Sequence, residues 1–382
     1  MTTDRAGKKT ASVQPLQGLK VLDFSTLLPG PLCSLMLAEA GADVLKIERP
    51  GAGDEMRGYE PKFGSDSVNF ALLNRGKRSI TIDLKSDAGR AQALDLVRDA
   101  DVLIEQFRPG VMTRLGLGYE ALRALNPRLI YCSISGYGQT GPLAQVAAHD
   151  LNYVAESGML SLAAAADGSP VLPPALIADI GGGAYPAMMN ILLAVLRRGH
   201  DGQGVHLDVS MADNLFTFMY WGLGNGWTAQ AWPASGAELT TGGSPRYHVY
   251  RTADDRFLAA APLEQKFWEN FIRIIDAPQL LDDGRDPKAT IAAVARIIAA
   301  HPAAEWERRF AGADVCVNVA KTLEQAVQHP HFIERGLFAR RVHAGGRAIP
   351  ALPTPVDGAF IHAAPQRTHA PVLGEDNDTR RP

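Results

Sequence analysis

GLKVLDFSTLLPGPLCSLMLAEAGADVLKIE, residues 18–48, spells out one strand–helix–strand unit. GLKVLDFS is a short β-type run, a Pro/Gly turn follows, and LCSLMLAEA is helix-like and stops at Gly41 before a second strand, ADVLKIE. The alternation continues through RSITIDL (78–84), a helix from SDAGRAQALDLVRDA (86–100) with Ser86 as N-cap, and DVLIEQF (101–107). The helix YEALRAL (119–125) and the strand LIYCSISGYG (129–138) complete the series. Strands and helices alternating over short loops predict an α/β fold whose parallel sheet is covered on both faces. The layer reads as Rossmann-like, yet LLPGPLCS (27–34) has no G-x-G-x-x-G where the first strand ends, which argues against an NAD dehydrogenase.

At 382 residues, with 46% hydrophobic and 21% charged residues, the chain has the composition of an ordinary globular protein with room for two domains. A net charge of -3 without a dense Lys/Arg patch provides no electrostatic footprint for nucleic acid. Cys33, Cys132 and Cys316 lie far apart with no CxxC pair. That speaks against a disulfide framework or a metal site, and each reads as a small buried apolar residue in a reducing compartment. The opening MTTDRAGKKTASVQP is polar without an apolar h-region, so residues 1–15 are expected to be a disordered tail and not a secretory signal. NILLAVL breaks at Arg197-Arg198, so no run of membrane-spanning length and a cytoplasmic location are expected.

Residues 16–221 read as a large domain, completed by 336–382. The Gly/Ala/Ser/Thr/Trp-rich stretch 222–245 reads as a linker, and 246–335 as a smaller α+β domain. That domain opens with YHVYRTADDRFLAAAP, a hairpin turning at Ala253-Asp254-Asp255. AYPAMMNILLAVLRRG reads as a long buried helix.

Two stretches carry the chemistry: AAHDLNYVAESG (147–158), with His149 and Asp150, and ALIADIGGGAYP (175–186), with Asp179 at a strand-like junction ahead of three glycines. A lone histidine is more often structural, but His149 follows the loop YGQTGP after a strand, where open α/β sheets bind ligands. Asp150 reads as an N-cap for its own helix or as the orienting partner of His149. Asp179 either caps the next helix or meets a ligand, since three glycines permit close backbone approach. An imidazole and a carboxylate set apart in this way suit proton transfer on opposite sides of one carbon. Glu264, in the first turn of a helix beginning near Pro262, reads as a favourable acid at a helix N-terminus. Arg49, Lys77, Arg78, Lys85 and Arg108 fall beside strand ends, either as solvated charges or as a cluster for the phosphates of a nucleotide-like ligand.

The runs from Gly18 to Asp54, NRGKRSITIDLKSDAG, DVLIEQFRPGVMTRLGLGYEAL and SGYGQTGP resemble the family III CoA-transferases. AAHDLNY, PPALIADIGGG, GGSPRYHVYRTADDRF and APLEQKFW resemble its α-methylacyl-CoA racemase branch. The resemblance runs from about residue 16 to about 345. It implies a Rossmann-like, CoA-binding large domain with a smaller domain, in a homodimer whose subunits interlock like chain links. It also implies His149 and Asp179 as catalytic groups and Glu264 as a supporting carboxylate. CoA contacts are implied at Arg49, at Ile82, Asp83, Leu84 and Lys85, and at Gln106, Phe107 and Arg108. Ala148, Asp150, Leu151, Asn152 and Tyr153 are implied to form the loop over the thioester. The chain departs from the transferases at TTGGSP (240–245), where they carry a tetraglycine loop, and has Ala124 where some racemases place a CoA-contacting lysine.

The expected reaction is epimerisation of a 2-methylacyl-CoA, with CoA as part of the substrate and no bound prosthetic group or metal. Two bases on opposite faces, His149 and Asp179, exchange the α-proton through a stabilised enolate. The alternative is CoA transfer between carboxylic acids, with Asp179 as the nucleophile of a mixed anhydride.

Overall fold

The computed structural model of the chain describes residues 14–165, 168–282, 285–361 and 367–378. The tail expected over 1–15 lies outside them except for Gln14 and Pro15; Gln14 is held, its side-chain amide donating to the Glu39 carbonyl at 2.9 Å. The chain divides into two compact units. One comprises the described residues of 1–157, 174–218 and 333–382; the other comprises those of 158–173 and 219–332.

The first unit is built on six parallel strands: β1 (Lys20–Asp23), β2 (Asp43–Glu48), β3 (Arg78–Thr81), β4 (Val102–Glu105), β5 (Ile130–Ser135) and β6 (Val205–Ser210). They lie in the order β3-β2-β1-β4-β5-β6. The expected parallel α/β sheet is therefore present. Central strands are buried on both faces, β5 along its whole length, which is why they read as continuous apolar runs. Leu22, Leu45, Ile80, Leu103 and Tyr131 pack with Ala93 and Val97 of helix α2 (Asp87–Arg98), the second after α1 (Pro29–Glu39). Ser86 caps α2 as expected, its hydroxyl accepting the Gly89 N–H at 3.0 Å. The open edge of β3 is covered by the C-terminal segment: the Ser79 and Thr81 N–H groups donate to the side chains of Asp376 and Asn377 at 3.0 and 2.8 Å.

Helix α3 (Tyr119–Leu125) leads into β5, and α4 (Asp150–Glu156) follows it. A wide helical turn over Ala178–Ala184 continues as α5 (Tyr185–Asp201). Together they form a 24-residue helix with a window of mean hydropathy 1.3, long and apolar enough by length and composition to cross a membrane, contrary to the sequence expectation. Its inner face, Ala187, Ile191, Ala194 and Arg198, is buried, and Arg198 pairs with Asp101 at 2.8 Å. The helix is not buried all round, as the sequence suggested. Tyr185, Met189, Leu193 and Leu196 form an exposed stripe, Leu196 being 66% accessible.

In the second unit the expected hairpin is present as β7 (His248–Arg251) and β8 (Phe257–Ala260), joined antiparallel by β9 (Val317–Val319). Its core is Tyr250, Trp268, Phe271, Ile298 and Trp306. The stretch 222–245 is not simply a linker. It begins inside helix α6 (Tyr220–Ala229). Gly222 and Gly226 lie one turn apart on α6, and Cβ atoms there would run into Pro233 and Trp232, which fold back on the helix. Gly222 and Gly226, which resembled linker glycines, serve packing. Cys33 and Cys132 are buried as expected, with burial pushing both thiols up, but Cys316 is exposed.

Candidate active site

β1 is the point from which the sheet winds in opposite directions, so the crevice at its carboxyl end, beside β4, is where an open α/β sheet takes ligand. In a dinucleotide-binding fold the helix after β1 offers free N–H groups to a pyrophosphate. Here Pro29 and Pro31 carry none, and the Gly30 N–H donates to Gln106 Oε1 at 2.9 Å. The loop after β1 is thereby stitched to the loop after β4. Gln106, assigned to CoA contact by the resemblance, has its carbonyl oxygen committed to this stitch.

The other residues implied in CoA binding separate by location. Arg49 follows β2 on the surface, donating to the Gly53 carbonyl at 3.0 Å and pairing with Glu55 at 3.1 Å. Ile82 is buried, so its side chain belongs to the core. Asp83 accepts the Lys85 N–H at 3.0 Å, closing a tight turn that presents Lys85 to solvent after β3. Leu84 and Phe107 pack against the core, and Arg108 is exposed after β4. Two cations weighed for phosphate binding sit elsewhere. Lys77 is fully buried, on the Pro31 carbonyl and Asn74 at 2.9 and 2.8 Å, and Arg78 grips Asp43 through two bonds of 2.9 and 2.7 Å. Both stand at the amino end of β3, the wrong end of the sheet.

His149 is exposed at the N-cap of α4, its N–H donating to Asn152 Oδ1 at 3.0 Å. Tyr153 fixes the preceding peptide, its hydroxyl donating to the Ala148 carbonyl at 2.8 Å. Gly136 makes room for that ring, since a Cβ there would overlap it. Leu151 remains exposed.

Asp150 does what neither sequence reading anticipated. Its buried carboxylate caps the segment that carries Asp179: Oδ1 accepts the N–H groups of Ala178 and Asp179 at 2.7 and 2.9 Å. The residue beside His149 is thus bonded to the backbone of Asp179, and segments thirty residues apart are brought together. Asp179 stands in the first turn of the wide helix, not at the end of a strand. Wide turns of this kind recur at functional sites. The glycines after it serve close packing: a Cβ at Gly182 would overlap the Met211 carbonyl, and one at Gly181 would lie 2.8 Å from the Phe218 ring. Burial, and then the charge of Asp150, push the Asp179 carboxyl up to about 7. That suits a group exchanging protons near neutral pH. Glu264 lies in the second unit as the N-cap of α7 (Gln265–Ile274), not in its first turn, with an exposed side chain.

Asp150→Asn keeps an oxygen for the two N–H groups and removes the charge. The Asp179 carboxyl should then titrate at lower pH. Since Asp179 must be ionised to act as a base, the acid limb of the pH–rate profile should move down and the rate at pH 6 relative to pH 8 should rise. An unmoved limb in profiles of the two proteins would show that Asp150 exerts no such control.

A model of CoA-transferase family III matches residues 16–377. The alpha-methylacyl-CoA racemase of Homo sapiens is 37% identical over 337 residues, covering 85% of this chain and 82% of its own. The acetyl-CoA:oxalate CoA-transferase of Acetobacter aceti is 35% identical over 382 residues, covering 96% and 95%. The crystal structure of a CAIB/BAIF family protein from Brucella suis superimposes with a TM-score of 0.80 at 28% identity, over 95% of this chain and 97% of that one.

Proposed function

The chain belongs to CoA-transferase family III, and we propose that it epimerises 2-methylacyl-CoA thioesters by moving the α-proton between His149 and Asp179. The observation that supports this reading is the bonding of Asp150 to the backbone of Asp179, which joins the segment that carries His149 to the one that carries a near-neutral carboxyl. A thioester α-proton is weakly acidic, so removal needs a poised base and electrostatic support for the enolate oxygen. With one base on each face, the first takes the proton and the conjugate acid of the second returns one, inverting the centre. Exposed Arg49, Lys85 and Arg108 are proposed to meet the phosphates of CoA.

CoA transfer through a mixed anhydride at Asp179 is the competing reading, and the composition of the sequence around these two residues supports epimerisation. No Lys or Arg occurs between Arg128 and Arg197, a span containing both His149 and Asp179. A site for a dicarboxylate such as oxalate needs a cation for the second carboxylate. Apolar Val146, Leu151 and Leu176 are exposed near His149 and Asp179 in the sequence, as suits an uncharged acyl chain. The test is to incubate 2-methylacyl-CoA with the protein in D2O. Deuterium should enter the α-position without an acceptor acid; turnover that requires an acceptor would establish transfer instead.

The functional unit is proposed to be a homodimer. The Tyr185, Met189, Leu193 and Leu196 stripe is a helix face left bare in the single chain, and a second copy would bury it. Light scattering should give twice the chain mass at assay concentrations, and a monomer there would contradict the proposal.

A further inference from the structure

Leu27, in the loop from β1 to α1, adopts φ +61, a left-handed conformation that glycine adopts freely and leucine resists. Such a residue persists only where its surroundings dictate it, and such residues cluster at functional sites. The Leu27 N–H donates to Asp54 Oδ1 at 3.1 Å. The other oxygen of Asp54 meets Lys46 Nζ at 3.0 Å, both side chains fully buried, and Lys46 donates to the Ser25 carbonyl at 2.7 Å. Asp23 accepts the Ser25 N–H at 2.9 Å, and Lys77 donates to the Pro31 carbonyl at 2.9 Å. A buried ion pair is a weak source of stability, because desolvation offsets most of the attraction. Here the charges are spent on loop geometry.

The loop ends in Pro29, against which the helix of Asp179 leans. A Cβ added at Gly183 would fall 3.1 Å from the Pro29 Cβ. Gly183 lies one turn along from Asp179 in the wide helix.

We propose that the buried Lys46–Asp54 pair is a positioning device: it holds Leu27 left-handed, which sets Pro29 and so fixes the helix that presents Asp179. Leu27, Lys46 and Asp54 touch no substrate in this account. The inference rests on Asp179 being a working residue but not on which reaction it serves, so turnover is taken as α-proton exchange or acceptor-dependent transfer, whichever the unaltered protein shows.

The test separates conformation from side-chain bulk. Leu27→Gly loses the apolar side chain but adopts the left-handed conformation freely; Leu27→Val keeps an apolar side chain that resists it. kcat should fall about tenfold or more in Leu27→Val and stay within about threefold in Leu27→Gly, with KM steady in both, since a small displacement of a reacting group costs this much. Asp54→Ala should lose a similar factor, and Asp54→Ala with Leu27→Gly should recover most of it, because glycine no longer needs the anchor. Amide hydrogen exchange provides a readout independent of activity. Protection of residues 178–185 should drop in Leu27→Val and return in the glycine variant. Glycine as damaging as valine, no recovery in the double variant, or unchanged protection of 178–185 in Leu27→Val would overturn the proposal. A protein that turns over neither way defeats the proposed reaction, while hydrogen exchange still decides this inference.

Discussion

Alanine at His149 or at Asp179 is expected to abolish inversion of a 2-methylacyl-CoA, with losses of about a thousandfold or more, as for removal of a positioned acid or base. The two losses should differ in kind. With one base gone, the other can still remove a proton and return it to the same face. Each variant should therefore exchange deuterium into one enantiomer of substrate and leave the other inert. His149→Ala and Asp179→Ala should show opposite preferences when (R)- and (S)-substrates are incubated separately in D2O. The transferase mechanism predicts another pattern: Asp179→Ala loses all turnover and His149→Ala keeps acceptor-dependent transfer. Full inversion by the His149 variant would sink the two-base mechanism.

Lys46→Met is expected to destabilise the first unit by about 3–5 kcal/mol, the usual penalty for removing one partner of a buried ion pair. Burial opposes the ammonium charge, but Asp23, Asp54 and Glu48 outweigh it and hold Lys46 protonated. Burial likewise works against ionised Asp23, yet Lys46, Lys77 and the Ser25 and Ser34 hydroxyls hold its carboxyl down to about 2. A depressed carboxyl stabilises the fold above its unfolded pKa, and that contribution is lost only as pH falls toward 2. Methionine at 46 keeps the length of the side chain and removes the charge that Asp23 and Asp54 depend on. The folded-state pKa of Asp23 should rise, so the variant's deficit should be larger at pH 8 than at pH 5. Thermal melts at the two pH values measure it. An equal deficit at both would mean that lost packing, not unpaired carboxylates, is the cause.

Whatever rests on neighbours along the chain was legible without the fold. Strand and helix runs of opposite period established the parallel α/β layer, Ser86 showed where α2 begins, and LLPGPLCS showed that the first turn lacks the dinucleotide fingerprint. The absence of Lys and Arg between 128 and 197 was also legible there, although it gains meaning only beside the site. Tertiary structure decided the rest, because the deciding contacts join residues distant in sequence. Asp150 looked like the cap of its own helix, and only the crossing of two segments gives its carboxylate to Ala178 and Asp179. Lys77 and Arg78 read either as solvated charges or as phosphate ligands until strand direction placed them at the amino end of β3. At 222–245 composition does not show that Trp232 and Pro233 return to pack on two glycines of α6. The strain at Leu27 has no signature in the sequence at all. A leucine keeps that conformation only where its surroundings dictate it, and the buried Asp54 and Lys46 beside it are brought there by folding.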